Sequence, residues 1–511
     1  METYIKIFFS NIDECFKRLS TKPLEKWMLV GCFFVVVYPI LINMSPLWDG
    51  SVIDYASISG MPDIFETWFY EAGGPLLVPI HKIVFYLSKF ILIKQKILVN
   101  VISVIFIALS LSEIIKLFKL LDNKKDTLGE LAALFLLVSP LSSIYFSDIF
   151  MCQTIFMYFC FLGTRFYLNE RPIVGLTLVF ISFQQSANPV TFFSLIALAY
   201  LFGSRREWKK DLVALSLACF YFLFVFRWLA SARGVYADGN YNRMVFSNLL
   251  EYEKFYQPFV LAIKYHLIPF LILIPFLKWK NWKSFSLLPA MLLIAGLNIV
   301  PYVFVGKSIM IQRYLVGYHE GYTIRYLMNL FPILYLGLFL WISKTIQDRF
   351  RTKVFLILFI LPSLFYNAKL TAKFYGTRSK IITFHEEFQH AVESLDLKPG
   401  EIKVNYGSMG MAFYEVQYLF YRAKGKAAWS VLPKDDIKNL LENQKYRRKY
   451  VLTDFSPLCV TQLSIKQDIS LISRKTLLFY LYAKPWYHIP GNHFELSKVS
   501  QDCISEVAEV W

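Results

Sequence analysis

Residues 75–93 read PLLVPIHKIVFYLSKFILI, and whether they cross a membrane decides the orientation of everything after them. The run is apolar enough to tempt a span. It also carries His81, Lys82 and Lys89, which are costly inside hydrocarbon. If the run crossed, the basic cluster at 116–125 would lie outside and every later loop would invert. The segment is therefore predicted to be an amphipathic helix lying in the outer interface.

The rest of the chain sets that choice. Of its 511 residues, 56% are hydrophobic and 18% aromatic, more apolar surface than a soluble core of this length needs. Runs of about 20 apolar residues recur, each long enough to cross a hydrocarbon core of about 30 Å. Spans are predicted near 27–46, 97–115, 128–147, 150–168, 172–185, 188–203, 211–230, 258–277, 284–305, 326–343 and 353–369. The 172–203 pair is short and is interrupted by QQSANP. The first 26 residues are basic and the next run has no small-residue cleavage site, so it reads as a signal anchor.

Lys and Arg fix the orientation. The N-terminus and the loops at 116–125, 165–171, 204–210, 278–283 and 344–353 together hold 22 of them. The opposite side has none in 47–75, three in 231–257 and three in 306–325. The first set is therefore cytoplasmic. The net charge of +17 follows from these short loops, and nucleic acid is not needed to explain it.

Beyond residue 369 the apolar runs stop. Helical patterns at 383–396, 409–422 and 434–445 alternate with the β-type runs EIKVNY, AAWSV, KYVLTD and LLFYLY. Such alternation predicts a small α/β domain. The fold class is thus a polytopic all-α membrane protein of about 11 transmembrane helices, with a small C-terminal α/β extracytoplasmic domain. The division is 1–369 and 370–511, with 47–96 as the first outer loop. Cys459 and Cys503 are the only two cysteines of the tail, and an oxidising compartment would allow them to pair. No His/Cys cluster has metal-ligand spacing, so neither a metal nor a cofactor is expected.

The first outer loop carries Asp49, Asp54, Asp63, Glu66 and Glu71 before any Lys or Arg appears. Four of these have structural explanations. Ser51 and Asp54 fit a capping box. Asp63 and Glu66 follow Pro62 as acids of a first helical turn, and Glu71 precedes the break Gly73-Gly74-Pro75. Asp49 leaves the first span beside Gly50, where a substrate can approach the backbone closely. A carboxylate there can deprotonate a hydroxyl at the depth of a lipid headgroup. It can equally mark a solvated turn.

Cations on the same side are Lys264 and His266 in the eighth predicted span, Arg325 at the start of the tenth, and Arg313 and His81. Arg presents a planar fork matched to phosphate oxygens. Interfacial anchoring is the other reading of each.

Together these features resemble the GT-C superfamily of membrane glycosyltransferases. The resemblance rests on the acidic loop after the first span, the Pro-Leu run GGPLLVPIHKIVFYL, and the late span from Arg325-Tyr326 to Pro332. The chain is further similar to Gtr-type O-antigen glucosyltransferases of bacteria and their phages. It departs from tighter patterns in having no Asp-Glu or Asp-x-Asp pair in the loop and no WWD-type motif in the tail. The resemblance implies a polyprenyl-phosphate-linked sugar donor, a glycan acceptor and inversion at the anomeric carbon. It implies Asp49 as base, with Arg325 and Lys264 or His266 on the phosphate. A Wzy-like polysaccharide polymerase and a lipid or glycan transporter are the alternatives. Mid-chain outer loops rich in Arg would mark the first, and internal repeats with midplane charges the second.

Overall fold

The computed structural model describes residues 24–42, 76–122, 128–138, 150–169, 171–183, 188–203, 205, 207–221, 287–300, 328–345, 386, 389–396, 400–405, 423, 429–433, 459–467 and 494–503. Among the described residues ten helices lie before residue 346. They are α1 (Leu24–Ile42), α2 (Leu77–Phe90), α3 (Gln95–Asp122), α4 (Leu128–Val138) and α5 (Phe150–Leu168). Next come α6 (Pro172–Ser182), α7 (Asn188–Leu201), α8 (Trp208–Phe220), α9 (Leu287–Leu297) and α10 (Leu330–Thr345). Nine of the predicted spans each overlap one of them, and those near 258–277 and 353–369 lie outside the described residues. Both halves of the interrupted 172–203 stretch are helical, with Pro172 opening α6 in the place where its missing N–H costs nothing.

Among the described residues one helix, α3, is both long and apolar enough to cross a membrane, and several shorter apolar helices accompany it. Its 28 residues extend about 42 Å at 1.5 Å each. Large apolar side chains face outward on α1 (Phe34), α3 (Ile105), α6 (Ile173) and α8 (Val213, Phe220). Outward apolar surface of this extent points to membrane association.

α10 lies at the centre. Its side chains from Leu330 to Ile342 are buried without a break, as expected of a helix that is apolar all round. It packs against α3, α4, α7 and α9. Phe135 of α4 meets Tyr335 and Phe339 of α10 at ring-centroid distances of 5.8 and 5.3 Å.

Contacts between helices sort the bundle into two ends. At one, Arg165 bonds Glu113, Lys119 pairs with Glu130 at 3.5 Å and Ser343 donates to Asp122 at 2.8 Å. These residues close α3, α5 and α10 and open α4, beside the basic loops. At the other end, Asn188, Asn298 and Asn329 meet from the start of α7, the end of α9 and the entry to α10. Successive helices from α3 to α7 thus alternate in direction.

α2 is separate from α3. Backbone N–H groups of Ile91 and Ile93 return to Leu87 and Ser88 at 3.0 Å, and Leu92 takes a left-handed φ of 56°. That closure, usually made by Gly, ends the helix. The 14 residues of α2 extend about 21 Å, short of a hydrocarbon core of about 30 Å. Val84 packs with Val99, Met151, Cys152, Ile155 and Phe156. These belong to the first halves of α3 and α5, so α2 docks at the end remote from the basic loops.

α5 and α6 touch at backbone distance through two glycines. A Cβ on Gly175 would stand 2.5 Å from the Tyr167 N and 2.7 Å from the Gly163 O. Only small residues allow such an approach. Gly337 also faces a close neighbour, but there the obstacle at 2.6 Å is the flexible Met291 side chain. Gly175→Ala is therefore expected to cost about 1–3 kcal/mol or more through backbone displacement. Gly337→Ala should cost far less, because Met291 moves and helix propensity improves by about 1 kcal/mol. Heating the two variants in detergent and scoring the fraction that stays monodisperse checks this ranking, and equal losses would contradict it.

Among the described residues the tail holds four strands: β1 (Gly400–Asn405), β2 (Trp429–Pro433), β3 (Cys459–Gln467) and β4 (Phe494–Cys503). They form one sheet in the order β2-β1-β3-β4. β1 pairs parallel with β2 and β3, and β4 runs antiparallel to β3. β1 and β2 fall on the predicted runs EIKVNY and AAWSV, whereas β3 and β4 are strands the sequence reading did not place. The predicted strands at 449–454 and 477–482, and the predicted helices at 409–422 and 434–445, lie in or largely in residues outside the described set. Helix appears at 389–394, within the predicted 383–396.

Candidate functional site

The end of the bundle remote from the basic loops collects the polar groups that an outer-face site would use. α2 presents Leu77, Ile80, His81, Val84 and Ser88 inward, spaced three or four apart as one helical face. His81 is fully buried. Burial alone pushes its pKa down to about 3, which favours the neutral imidazole at pH 7. Ile83, Tyr86, Leu87 and Phe90 form an exposed apolar face. Lys89 lies beside it with its Nζ 4.1 Å from the Phe85 ring centroid. An apolar face flanked by a cation is the arrangement of a helix lying at a membrane surface.

The first half of α3 adds a buried polar stripe. Lys96, Asn100 and Ser103, spaced four and three apart, are all buried, and Lys96 is only 4% exposed. Ionisable groups at such positions in an apolar helix are usually functional. Neighbouring Gln95 is also buried, and its Oε1 has no hydrogen-bond partner among the described residues.

Deeper in the same end, amides and hydroxyls from three segments interlock. Asn329 Nδ2 donates to Asn188 Oδ1 at 2.8 Å and to Thr191 Oγ1 at 2.7 Å. Thr191 Oγ1 donates to Asn298 Oδ1 at 3.0 Å, and Asn298 Nδ2 donates to Ser194 Oγ at 2.8 Å. Asn188 Nδ2 closes back to the Ser182 carbonyl at 2.8 Å, bridging the QQSANP interruption. Each bond satisfies a group that would otherwise be stranded in an apolar interior. The network ties α7, α9 and α10 together at the end remote from the basic loops.

The basic end carries a denser charge network. Asp211 accepts from Arg205 Nε at 3.0 Å and Nη2 at 2.9 Å, and from the hydroxyls of Tyr167 and Tyr200. The hydrogen bonds to Asp211 raise the Arg205 pKa above its ordinary value. Arg205 is thus a structural partner of Asp211, in addition to being one of the basic residues of the 204–210 loop.

Of the residues singled out from sequence, His81 is described and stands at the end of the bundle remote from the basic loops. Asp49, Asp54, Lys264, His266, Arg313 and Arg325 lie outside the described residues. Lys96, Asn188, Asn298 and Asn329 escaped the sequence reading. Lys96 had a usable signal: with Asn100 and Ser103 it repeats at helical spacing on the first turns of a span. Asn298 and Asn329 had none, because each stands alone in an apolar run, whereas Asn188 lies within the polar interruption QQSANP. Among the described residues no group of three or more His, Cys, Asp or Glu could hold a metal ion. Comparison of the sequence with known protein families and with curated proteins finds no match.

Proposed function

We propose that this chain is an integral membrane glycosyltransferase of the GT-C kind. It moves a hexose from a polyprenyl-phosphate-linked donor to a cell-envelope glycan, such as O-antigen, on the outer face of the bacterial cytoplasmic membrane. The observation that carries this reading is the docking of α2, with its exposed apolar face, on the bundle end remote from the basic loops. The acidic segment 47–75 runs directly into that helix, and Lys96 stands buried on the α3 half against which it packs. The N-terminus is cytoplasmic in this reading, and residues 370–511 form a small α/β domain outside.

The chemistry is an inverting displacement. Asp49 removes the proton from the acceptor hydroxyl, the oxygen attacks the anomeric carbon, and the bond to the polyprenyl phosphate oxygen breaks. Arg325, with Lys264 or His266 and with Arg313, holds the departing phosphate and stabilises its growing charge. Lys96 adds an ammonium to that set, and His81 a neutral hydrogen-bonding group. Asp54, which with Ser51 fits a capping-box pattern, is the second carboxylate of the first outer loop. The phosphate leaves already charged, so the displacement needs no metal.

Two measurements test the reading. Reporter fusions at residues 123 and 400 should give a cytoplasmic signal at the first and an external one at the second. An external signal at 123 would mean that the segment at 75–93 crosses. Glycan masses from cells with and without the gene should differ by hexose units on the outer-leaflet product, and identical masses would count against transfer.

A further inference from the structure

We propose that Cys459 and Cys503 form a cross-strand disulfide that staples the antiparallel edge of the tail's sheet. The ladder of β3 and β4 places Cys459 directly opposite Cys503, followed by Val460 opposite Asp502 and Thr461 opposite Gln501. The register is unbroken here, and its one shift falls between Gln462 and Leu463. Directly opposite residues of an antiparallel pair have Cα atoms about 4.5–5.5 Å apart. A disulfide needs about 4.4–6.8 Å, so either kind of ladder position accommodates it.

The position suits a staple. Among the described strands β4 stands at the edge of the sheet and pairs with β3. The connection 468–493 joins the two strands at the Gln467 and Phe494 end of the ladder. Cys459 and Cys503 stand at the other end, where no chain connection prevents fraying. A bond there closes the pair at both ends. The remaining described cysteines, Cys32, Cys152, Cys160 and Cys219, are free thiols of the helical bundle.

Formation is a thiol–disulfide exchange with a disulfide-carrying oxidant of the exported compartment. One thiolate attacks the oxidant's disulfide to give a mixed disulfide, and the second thiolate displaces it. The two cysteines lose two protons and two electrons, and the oxidant leaves as a dithiol. The oxidising surroundings rest on the outward placement of the tail proposed above. The pairing itself rests on the register.

The test uses the full chain, alkylated in intact membranes before any reductant is added and then digested for mass spectrometry. The expected result is a linked peptide pair containing Cys459 and Cys503 that separates on reduction. Cys459→Ser should leave Cys503 alkylated, and the reverse variant should leave Cys459 alkylated. Two outcomes overturn the proposal at different points. If both thiols are alkylated in membranes but pair when the purified protein meets oxidised glutathione, the register stands and the outward placement fails. If they pair under neither condition, the cross-strand assignment fails whichever side the tail occupies.

Discussion

Asp49→Asn is expected to lower sugar transfer by about 10²–10⁴-fold, toward the upper end, because a sole general base is lost while the side chain keeps its size. Expression and topology should survive. Among the acids of the first outer loop, Asp49 alone lacks a place in a cap, a first helical turn or a helix break. The control is Asp54→Asn, which should cost mainly a cap of about 1 kcal/mol and leave substantial activity. A comparison at equal protein levels decides between them. Near-normal transfer by Asp49→Asn with loss in Asp54→Asn would move the base to Asp54. Normal transfer by both would remove the transferase reading.

The largest expected effect on stability is at Asp211. Arg205, Tyr167 and Tyr200 all direct donors to its carboxylate, and Arg205 and Asp211 are 10% and 6% exposed. Asp211→Ala leaves two hydroxyls without their acceptor and leaves the Arg205 guanidinium only the half-exposed Glu207, 3.2 Å from its Nη2. Breaking a buried pair from one side costs about 3–5 kcal/mol. Tyr167→Phe removes one donor and leaves the carboxylate well served, at about 1 kcal/mol. Arg205→Ala combined with Asp211→Ala should cost clearly less than the sum of the single variants. Thermal inactivation in detergent gives the ranking. A Tyr167→Phe loss equal to that of Asp211→Ala would mean that the network does not hold this end of the bundle.

The alternation of the helices was legible because charge and hydropathy are local properties. Lys and Arg mark the loops whatever the packing, and contacts such as Lys119 with Glu130 then fall at the end those loops define. The break after α2 could also be anticipated, since a span there would have put Lys82 and Lys89 into hydrocarbon. Side-chain partners were not legible. Arg205 looked like one more loop cation until the fold brought Asp211 and two tyrosines to it. Asn188, Asn298 and Asn329 are over a hundred residues apart across the set and meet only in three dimensions.

The tail shows a different limit. β1 and β2 carry enough Val, Ile and Trp to be read as strands. β3 alternates as Cys459, Thr461, Leu463 and Ile465 against Gln462, Ser464 and Lys466. That is a strand period with too little hydrophobicity to stand out. In β4 the register shift leaves Val499 without a partner. A bulge of this kind moves the alternation to the other face, so Phe494 and Leu496 fall out of phase with Val499 when counted along the chain.

The central claim is transfer from a lipid-linked donor, and purified protein in lipid vesicles tests it most directly. The protein is supplied with a hexose joined to polyprenyl phosphate and with isolated envelope glycan. The account predicts hexose on the glycan with the anomeric configuration inverted, release of polyprenyl phosphate in equal amount, and loss of both in Asp49→Asn. Release of neither product, or equal transfer by Asp49→Asn, would contradict it.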